Sequence, residues 1–264
     1  MHPVDLALRH GDGTRHPQPF APLPTYFITD IHGELAKLDQ LLHRLALTSA
    51  DTLIFGGDYV DRGSDVYGVI ERIRELSRHH EVVTVMGNHD EAFARGIIAA
   101  EAAGGRYDAA AFPQWVHGAD KSYGAYLAAG VSPTAHLPWL LALEPYHVRD
   151  GRLFVHGGLN RHYPITDPVH NPSSLLLWDR DFARLAYHCE RNPDRHFRFR
   201  TAEDFQMVFL GHTPTQHFPG APTAPLLLRE SRVALCDTGV GKRPGATLYA
   251  VDVETLEYVG HDGR

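Results

Sequence analysis

The segment 53–63 constrains the possible folds of this chain more than any other. Its first residues, Leu53-Ile54-Phe55, predict a buried strand, and Gly56-Gly57 allows a sharp turn where that strand ends. The polar residues of the loop that follows are Asp58, Asp61 and Arg62. Carboxylates bind hard metal ions and a guanidinium matches phosphate oxygens, so this strand end suits a cation or a phosphate. Taken alone, the segment is equally compatible with a surface turn in which Asp61 and Arg62 pair.

The same order of strand, polar loop and helix is predicted three times in the first part of the chain. The predicted strands are 26–29, 52–56 and 81–86. The first predicted helix begins at residue 35, and the second and third cover about 65–78 and about 91–102. Each helix has apolar residues on one face. This alternation predicts an α/β protein with a largely parallel sheet, in which ligands bind outside the carboxyl ends of the strands.

The second part of the chain is harder to interpret. Residues 103–150 contain many glycines and prolines and predict small helices, one near 137–143, that form a cap or flank. Further strands are predicted at 152–155, 206–210, 232–236 and 246–251. Residues 159–204 and 214–229 are expected to be rich in loops.

Length and composition predict one globular domain. Residues 25–264 are long enough for a single α/β domain, and the five prolines in residues 1–24 predict a flexible leader. The net charge of −7 without a Lys/Arg run argues against a nucleic acid as the main partner. Two cysteines and the lack of an apolar run of about 20 residues predict a cytoplasmic protein that does not enter a membrane. Oligomeric state is left open.

Polar residues recur at six predicted strand ends. A single His after a strand is more often a hydrogen-bonded loop residue than a ligand, but several segments with the same pattern would meet in one cleft if the sheet is continuous. His79 and His80 at a helix end, and His117, which no strand precedes, are interpreted as structural or solvated. The strand-end residues are Asp30 and His32; Asp58, Asp61 and Arg62; Asn88 and His89; His156; His212; and Asp237.

This set of side chains favours a metal centre. Asp, Asn and His ligands without Cys suit Mn²⁺, Fe or Zn²⁺, and Asp58 is the natural carboxylate to bridge two ions because its loop is the richest in acids. Two ions about 3.5–4 Å apart lower the pKa of a bound water and neutralise the charge of an in-line phosphoryl displacement. The predicted chemistry is phosphoester hydrolysis.

Five motifs resemble those of the phosphoprotein phosphatase branch of the calcineurin-like metallophosphoesterases, which includes bacterial and phage serine/threonine phosphatases. The resemblance spans residues 26–239. The segment 177–180 is similar to the one that carries a second phosphate-binding arginine in those proteins. The resemblance implies a four-layer α/β fold with central β-sheets flanked by helices and a metal site at the C-terminal ends of the strands. The motifs are Thr29-Asp30-Ile31-His32-Gly33, Gly57-Asp58-Tyr59-Val60-Asp61-Arg62-Gly63, Gly87-Asn88-His89-Asp90, His156-Gly157-Gly158 and Gly211-His212-Thr213-Pro214.

The resemblance also implies a role for each site residue. A metal-bridging hydroxide would attack the phosphorus, His89 would protonate the leaving oxygen, and Asp61 would orient His89. Arg62 and Arg180 would hold the phosphate. Asp237 would support a ligand histidine. The implied ligands are Asp30, His32 and Asp58 for one divalent ion, most simply Mn²⁺, and Asp58, Asn88, His156 and His212 for the other.

Two departures from the family pattern concern neighbours of the implied ligands. Thr29 stands where Gly is usual, and Asp90 stands where many eukaryotic protein phosphatases have Glu. Thr29 lies beside an implied ligand and is not one itself, so this change is expected to be tolerated. At the position of Asp90, both Asp and Glu occur in the wider family.

Three functions are compatible with these motifs. The first is a metal-dependent phosphomonoesterase acting on phosphoserine or phosphothreonine proteins or on small phosphate esters. The second is a symmetrical bis(5'-nucleosyl)-tetraphosphatase, which cleaves diadenosine tetraphosphate. Asp61 before Arg62 resembles the phosphatase pattern more closely, since a small residue is typical of the dinucleotide hydrolases. The third, a non-catalytic binding protein, is disfavoured because every implied ligand is present. Specificity is expected in residues 91–150 and 159–204.

Overall fold

The computed structural model describes residues 23–105, 119–192, 194–195, 197–199 and 204–263. The predicted leader, except for its last two residues, and His117 lie outside these ranges. Ten strands are described: β1 Thr25–Ile28, β2 Thr52–Phe55, β3 Glu81–Thr84, β4 Tyr146–Arg149, β5 Arg152–Val155, β6 Met207–Leu210, β7 Leu226–Leu228, β8 Val233–Leu235, β9 Tyr249–Asp252 and β10 Tyr258–Gly260. The α-helices among the described residues are α1 Leu35–Leu45, α2 Val66–Leu76, α3 Asn88–Ala102, α4 Ala119–Ala129, α5 Leu137–Leu141, α6 Ser173–Trp178 and α7 Asp181–Glu190. Short 3₁₀ turns lie at Pro133–His136 and Thr215–His217.

The strands form two sheets rather than one continuous sheet. The first sheet has the order β10-β9-β1-β2-β3 and the second the order β4-β5-β6-β8-β7. In each sheet the three strands that precede the polar motifs are parallel, and the remaining strands pair antiparallel. The condition of one continuous sheet, under which the strand ends were expected to meet, is not fulfilled, and the prediction of central β-sheets flanked by helices is confirmed.

Three clusters of buried side chains arrange the sheets and helices in four layers. Phe27 and Ile54 of the first sheet lie in one cluster with Phe154 and Phe209 of the second, and the rings of Phe27 and Phe154 are 5.5 Å apart. The opposite face of the first sheet packs against α1 to α5, and that of the second sheet packs against α6 and α7. Because successive strand residues point to opposite faces, Phe27 faces the other sheet while its neighbour Ile28 faces the helices.

Several element predictions need correction. Helix α3 begins at Asn88 and not near residue 91, so two predicted site residues lie in its first turn. Residues 159–204 contain α6 and α7 and are less rich in loops than expected, and 214–229 contains β7. Helix α6 and strand β7 are too short to show a clear period, and α7 buries only Phe182, Ala183 and Ala186. Strands β4 and β10, which are short edge strands, were not predicted.

Residues 119–143 form a helical flank on the first sheet. Tyr126 of α4 and Leu140 of α5 are buried in the same cluster as Val66 of α2 and Phe93 of α3. A helix at 137–141 lies where the sequence predicted one. Among the described helices, none combines the length and the apolar character that crossing a bilayer requires.

Candidate metal centre

All six candidate metal ligands lie together where the parallel strands of both sheets end. Asp30 and His32 follow β1, Asp58 follows β2, and Asn88 opens α3 after β3. From the second sheet, His156 follows β5 and His212 follows β6. All six side chains are buried. Parallel strands bring their carboxyl ends to one edge, which is why residues far apart in sequence meet here.

Asp58 lies at the centre of this group. Its Oδ2 atom is 3.5 Å from Nε2 of His32, and its Oδ1 atom is 3.3 Å from Nε2 of His156. Two groups of side chains each bring their potential ligand atoms within 4.8 Å of one another: His32, Asp58 and His89 form one group, and Asp30, Asp58 and His156 form the other. This grouping differs from the predicted division, which placed Asp30 with His32 and assigned His89 to proton transfer. Asp58 belongs to both groups, as expected of a carboxylate that bridges two ions.

Three ligand atoms of this cluster are buried without a hydrogen-bond partner in the described part of the chain. They are Oδ1 of Asp30, Nε2 of His32 and Oδ2 of Asp58. Buried polar atoms are normally hydrogen-bonded, because leaving them unpaired costs a few kcal/mol, of the order of 1–3. A divalent cation would satisfy all three, since carboxylate oxygens and imidazole nitrogens are its ordinary ligands. The residues present therefore fit a metal site.

Backbone carbonyls orient two of the imidazoles. Nδ1 of His32 lies 2.9 Å from the carbonyl oxygen of Val60, and Nδ1 of His156 lies 2.8 Å from that of Gly56. In each ring Nδ1 therefore donates its hydrogen to the carbonyl, and Nε2 is left as the atom directed at Asp58. An outer hydrogen bond of this kind is the usual way in which proteins fix the tautomer of a metal-binding His.

Asn88 connects the two histidines contributed by the second sheet. Its Oδ1 atom lies 2.8 Å from Nδ1 of His212 and 3.1 Å from Nε2 of His156. The other nitrogen of His212 lies 3.1 Å from the carbonyl oxygen of Trp178. The amide oxygen of Asn88 is thus placed to share an ion with both imidazoles.

The electrostatics of the metal-free cluster favour the metal-binding protonation states of Asp58, His32 and His212, but not that of His156. Burial acts to lower the pKa of His156, but the neighbouring Asp58 raises it to about 9. Burial acts to raise the pKa of Asp58, but the nearby His156 and His89 hold that pKa well below its usual value. Burial lowers the pKa of His32 and of His212 well below the usual value. An ionised carboxylate and neutral imidazoles are the forms that coordinate cations. Burial and, next, the neighbouring Asp237 raise the pKa of Asp30 to about 7, and a bound cation would favour the ionised form of this carboxyl.

The backbone of the site is held in an uncommon conformation. The site residues with positive φ are Asp30, His32, Asp58, Asp61, Arg62 and His212, with φ between 48° and 70°. They are six of the ten described non-glycine residues with positive φ. Such residues cost about 1–3 kcal/mol each and persist where the surrounding structure enforces them, which is common at functional sites. At Gly57, with φ of 91°, a Cβ atom would also lie 2.5 Å from the amide nitrogen of Gly87, so only glycine fits.

The predicted proton-donor group, formed by His89, Asp61 and Arg62, borders the six candidate ligands of the metal cluster. Nδ1 of His89 is 2.6 Å from Oδ2 of Asp61, and Nε2 of His89 is 3.0 Å from Nη2 of Arg62. Burial acts to lower the pKa of His89, but Asp58 and Asp61 raise it above its usual value overall. The predicted partners His89, Asp61 and Arg62 are therefore in direct contact.

Arg180 lies at the opposite side of the site, next to His212. Its Nη1 atom donates a hydrogen bond of 2.8 Å to the carbonyl oxygen of His212 and lies 3.5 Å from Oγ1 of Thr213. Asp237 does not contact a ligand histidine in the described hydrogen bonds. Instead it accepts from Gly239 and, at 2.9 Å, from Lys242. The predicted support of a histidine by Asp237 is replaced by an ion pair that places the Lys242 ammonium 3.7 Å from Oδ1 of Asp30.

The motifs did not reveal three supporting roles. Asp90 accepts hydrogen bonds from the backbone N–H groups of Gly87, Asp58 and Tyr59 and so ties the second motif to the third. Ser122 and Lys242 contact the site from segments without a motif. The only sequence signal for these roles was the position of Asp90, three residues after Gly87. Neither Ser122 nor Lys242 directly follows a predicted strand, so the pattern that located the other site residues does not apply to them.

Comparison with known proteins identifies the family. The family model described as calcineurin-like phosphoesterase matches residues 23–216, which include every predicted ligand and both arginines. The chain therefore belongs to the calcineurin-like phosphoesterase family. Proteins of this family use divalent metals, and the buried Asp and His groups described above could bind one.

Similar proteins have different substrates in their names. A symmetrical bis(5'-nucleosyl)-tetraphosphatase from Baumannia cicadellinicola is 42% identical over 69 residues, which are 26% of this chain and only 23% of that relative. A solved structure of a putative diadenosine tetraphosphatase is 18% identical, with a TM-score of 0.59 over 92% of this chain and 95% of that one. A cold-active protein tyrosine phosphatase is 16% identical, with a TM-score of 0.60 over 92% and 78% of the two chains. These structural likenesses show the fold alone.

Proposed function

We propose that this protein is a metal-dependent phosphomonoesterase that acts on phosphoserine or phosphothreonine in proteins. One observation carries the proposal: three buried atoms of Asp30, His32 and Asp58, which have no hydrogen-bond partner among the described residues, lie together, and a His89–Asp61 pair lies next to them. A metal site alone would serve many functions. A proton donor and an arginine beside that site are what hydrolysis of a phosphate ester requires.

The proposed ligands divide into two sets. Asp30, His32 and Asp58 would hold one divalent ion, and the other ion would be held by Asp58, Asn88, His156 and His212. Bound ions supply Lewis acidity and lower the pKa of an attacking water. Oxygen and nitrogen ligands without sulfur suit Mn²⁺ best among the candidates, and Fe or Zn²⁺ is also compatible with this set.

The other side chains bind the phosphate and move a proton. Arg62 and Arg180 bind the phosphate oxygens, which a guanidinium fork matches geometrically. Since Nη2 of Arg62 and Nε2 of His89 are 3.0 Å apart, a phosphate held by Arg62 brings its leaving oxygen close to His89. In the structure Nε2 of His89 accepts from Arg62, because a guanidinium only donates. Once Arg62 binds the phosphate instead, protonated His89 donates its Nε2 hydrogen to the leaving oxygen, while Nδ1 remains bonded to Asp61.

A second candidate function is the symmetrical hydrolysis of diadenosine tetraphosphate. The observation that favours it is the similarity of one segment to proteins named bis(5'-nucleosyl)-tetraphosphatase. That segment covers 26% of this chain, so the similarity supports the alternative only for the part of the chain that the two proteins share. The metal ligands and His89 would have the same roles in both reactions, and the substrates would differ in what lies beyond the scissile phosphate.

Parallel assays would separate the two functions. The Mn²⁺-loaded protein is given a phosphothreonine peptide, p-nitrophenyl phosphate and diadenosine tetraphosphate, and the products are identified. Release of phosphate from the first two with an intact dinucleotide supports the phosphomonoesterase. Release of two ADP with little turnover of the peptide supports the alternative. The Asp58→Asn variant, purified in the same way, controls for contaminating phosphatases.

A further inference from the structure

Helix α4 of the helical flank contacts the loop that carries Asp61. The side chain of Ser122 is fully buried, with 0% of its surface exposed. Its hydroxyl donates a hydrogen bond of 2.5 Å to Oδ1 of Asp61 and accepts one of 2.8 Å from the backbone N–H of the same residue. One hydroxyl thus fixes both the main chain and the side chain of Asp61.

The other carboxylate oxygen of Asp61 faces His89. Oδ2 accepts the hydrogen of Nδ1 of His89 at 2.6 Å, so Ser122, Asp61 and His89 form a continuous chain of hydrogen bonds. Because a carboxylate that is bonded through both oxygens cannot rotate, its orientation is set by Ser122. The direction in which Nε2 of His89 points depends in turn on that orientation.

The contacts from α4 also support the uncommon backbone conformation of the loop that carries Asp61. Asp61 and Arg62 have φ of 68° and 70°, a region that residues other than glycine avoid unless other contacts enforce it. Helix α4 supplies two such contacts, because Lys121 also donates a hydrogen bond of 2.9 Å to the carbonyl oxygen of Arg62. The helix therefore supports the strained pair from outside the sheets.

Helix α4 is itself anchored one turn beyond Ser122. The hydroxyl of Tyr126 lies 2.7 Å from Nδ1 of His136, and Nε2 of His136 lies 2.7 Å from Oε1 of Glu71 on α2. Tyr126 is fully buried among residues of α2 and α3. Ser122 is thus held on a fixed helix and not on a mobile loop, which suits a residue that must keep another in position.

We infer that Ser122 is a positioning residue for proton donation by His89, acting through Asp61. This inference rests on the proposed function, because it requires His89 to protonate the leaving oxygen. Ser122 contacts neither a candidate metal ligand nor the phosphate-binding arginines in the described hydrogen bonds. Its loss should therefore impair protonation of the leaving group and leave metal binding unchanged.

Substrates with different leaving groups test this inference. A phenolate leaving group needs a proton more than p-nitrophenolate does, because the nitro group stabilises the negative charge. In Ser122→Ala, kcat for phenyl phosphate should fall about ten- to hundredfold, part of the effect typical of a general acid. The fall for p-nitrophenyl phosphate should be several times smaller. Metal content by elemental analysis should match that of the wild type.

Two further variants separate positioning from a general loss of stability. Ser231 is a matched control, since it is 1% exposed and donates a hydrogen bond of 2.9 Å to Ala186, away from the site. Ser231→Ala should lower the melting temperature about as much as Ser122→Ala without changing the ratio of the two rates. Ser122→Thr keeps the hydroxyl and should restore much of the rate for phenyl phosphate.

The variant His89→Ala distinguishes failure of the inference from failure of the proposed function. If His89→Ala slows both substrates equally, His89 is not the proton donor and the proposed mechanism is wrong. If His89→Ala is selective for phenyl phosphate but Ser122→Ala behaves like Ser231→Ala, the role of Ser122 is overturned. Selective loss in both variants, with equal metal content, supports the inference.

Discussion

The metal cluster and the proton-donor group are built in different ways. Every side chain of the metal cluster follows a strand or opens α3 after one, and its two oriented imidazoles bond to carbonyls of neighbouring strand-end loops. The proton-donor group also includes residues of a strand-end loop, but Asp61 receives a further hydrogen bond from Ser122, which lies in a helix and is 61 residues further along the chain. The candidate ligands therefore come from segments that directly follow strands of the two sheets, whereas the orientation of His89 also depends on the helical flank.

The largest expected effect follows from removing the residue common to both metal sets. Asp58→Asn keeps the size of the side chain but removes the charge that both sets share. We expect metal content to fall and turnover to drop at least about a thousandfold, since metal ions contribute several kcal/mol to such reactions. Elemental analysis and the rate with p-nitrophenyl phosphate check this. Asp39→Asn, on the exposed surface of α1, is the control, and an Asp58→Asn protein that still holds two ions would refute the shared role.

Removing the proton donor should leave the metal cluster intact. His89→Ala should lower kcat by about 10²–10⁴-fold, the range typical of general acid catalysis, while metal content stays unchanged. The comparison of kcat with metal content in one preparation measures this directly. An unchanged rate would exclude His89 from the mechanism. A loss of metal would mean that His89 is a ligand, which the 3.9 Å distance between its Nε2 atom and Oδ2 of Asp58 would allow.

A conservative change at Arg62 should weaken substrate binding in the transition state. Arg62→Lys keeps the positive charge but loses the planar fork, so we expect kcat/KM to fall about 10- to 100-fold, the worth of one charge-assisted hydrogen bond. Steady-state kinetics with p-nitrophenyl phosphate checks this. Arg72→Lys, which alters an exposed arginine on α2, provides the matched control, and equal kinetics in both variants would contradict a role in phosphate binding.

The smallest effect concerns pH and the anchoring of α4. Burial lowers the pKa of His136 below its usual value near 6.5, so the unfolded chain binds more protons than the folded chain just below that pH. Stability should therefore fall as pH drops below about 6.5, by up to about 1 kcal/mol from this residue. Urea unfolding at about pH 7.5 and about pH 5.5 measures the change. In His136→Gln the fall should be shallower, and an identical fall would show that other groups account for it.

Most of the metal cluster was predictable because its residues follow a local rule. A strand can be recognised from four apolar residues, and in a parallel sheet its end fixes where the next side chains lie. That reasoning located Asp58 and His156 even though it assumed one sheet. Two sheets packed through Phe27 and Phe154 bring the strand ends together equally well.

The remaining features depend on contacts that leave no local pattern. Ser122 lies in a helix whose polar and apolar residues are mixed, so nothing in residues 119–129 marks it as a partner of Asp61. Lys242 reaches Asp30 only because the loop after β8 folds back over the site, where Gly241 packs against His32. The predicted start of α3 was wrong because the segment from Gly87 to Asp90 also resembles a turn. In the structure Asp90 instead caps the helix that begins at Asn88.

The central claim is that Asp58 joins two metal ions at the meeting point of the two sheets. Crystals grown with Mn²⁺ and measured at a wavelength where manganese scatters anomalously would test it most directly. We predict two anomalous peaks about 3.5–4 Å apart, as in two-metal phosphatases, with both in contact with Asp58. A single peak, or two peaks of which one does not touch Asp58, would contradict the account.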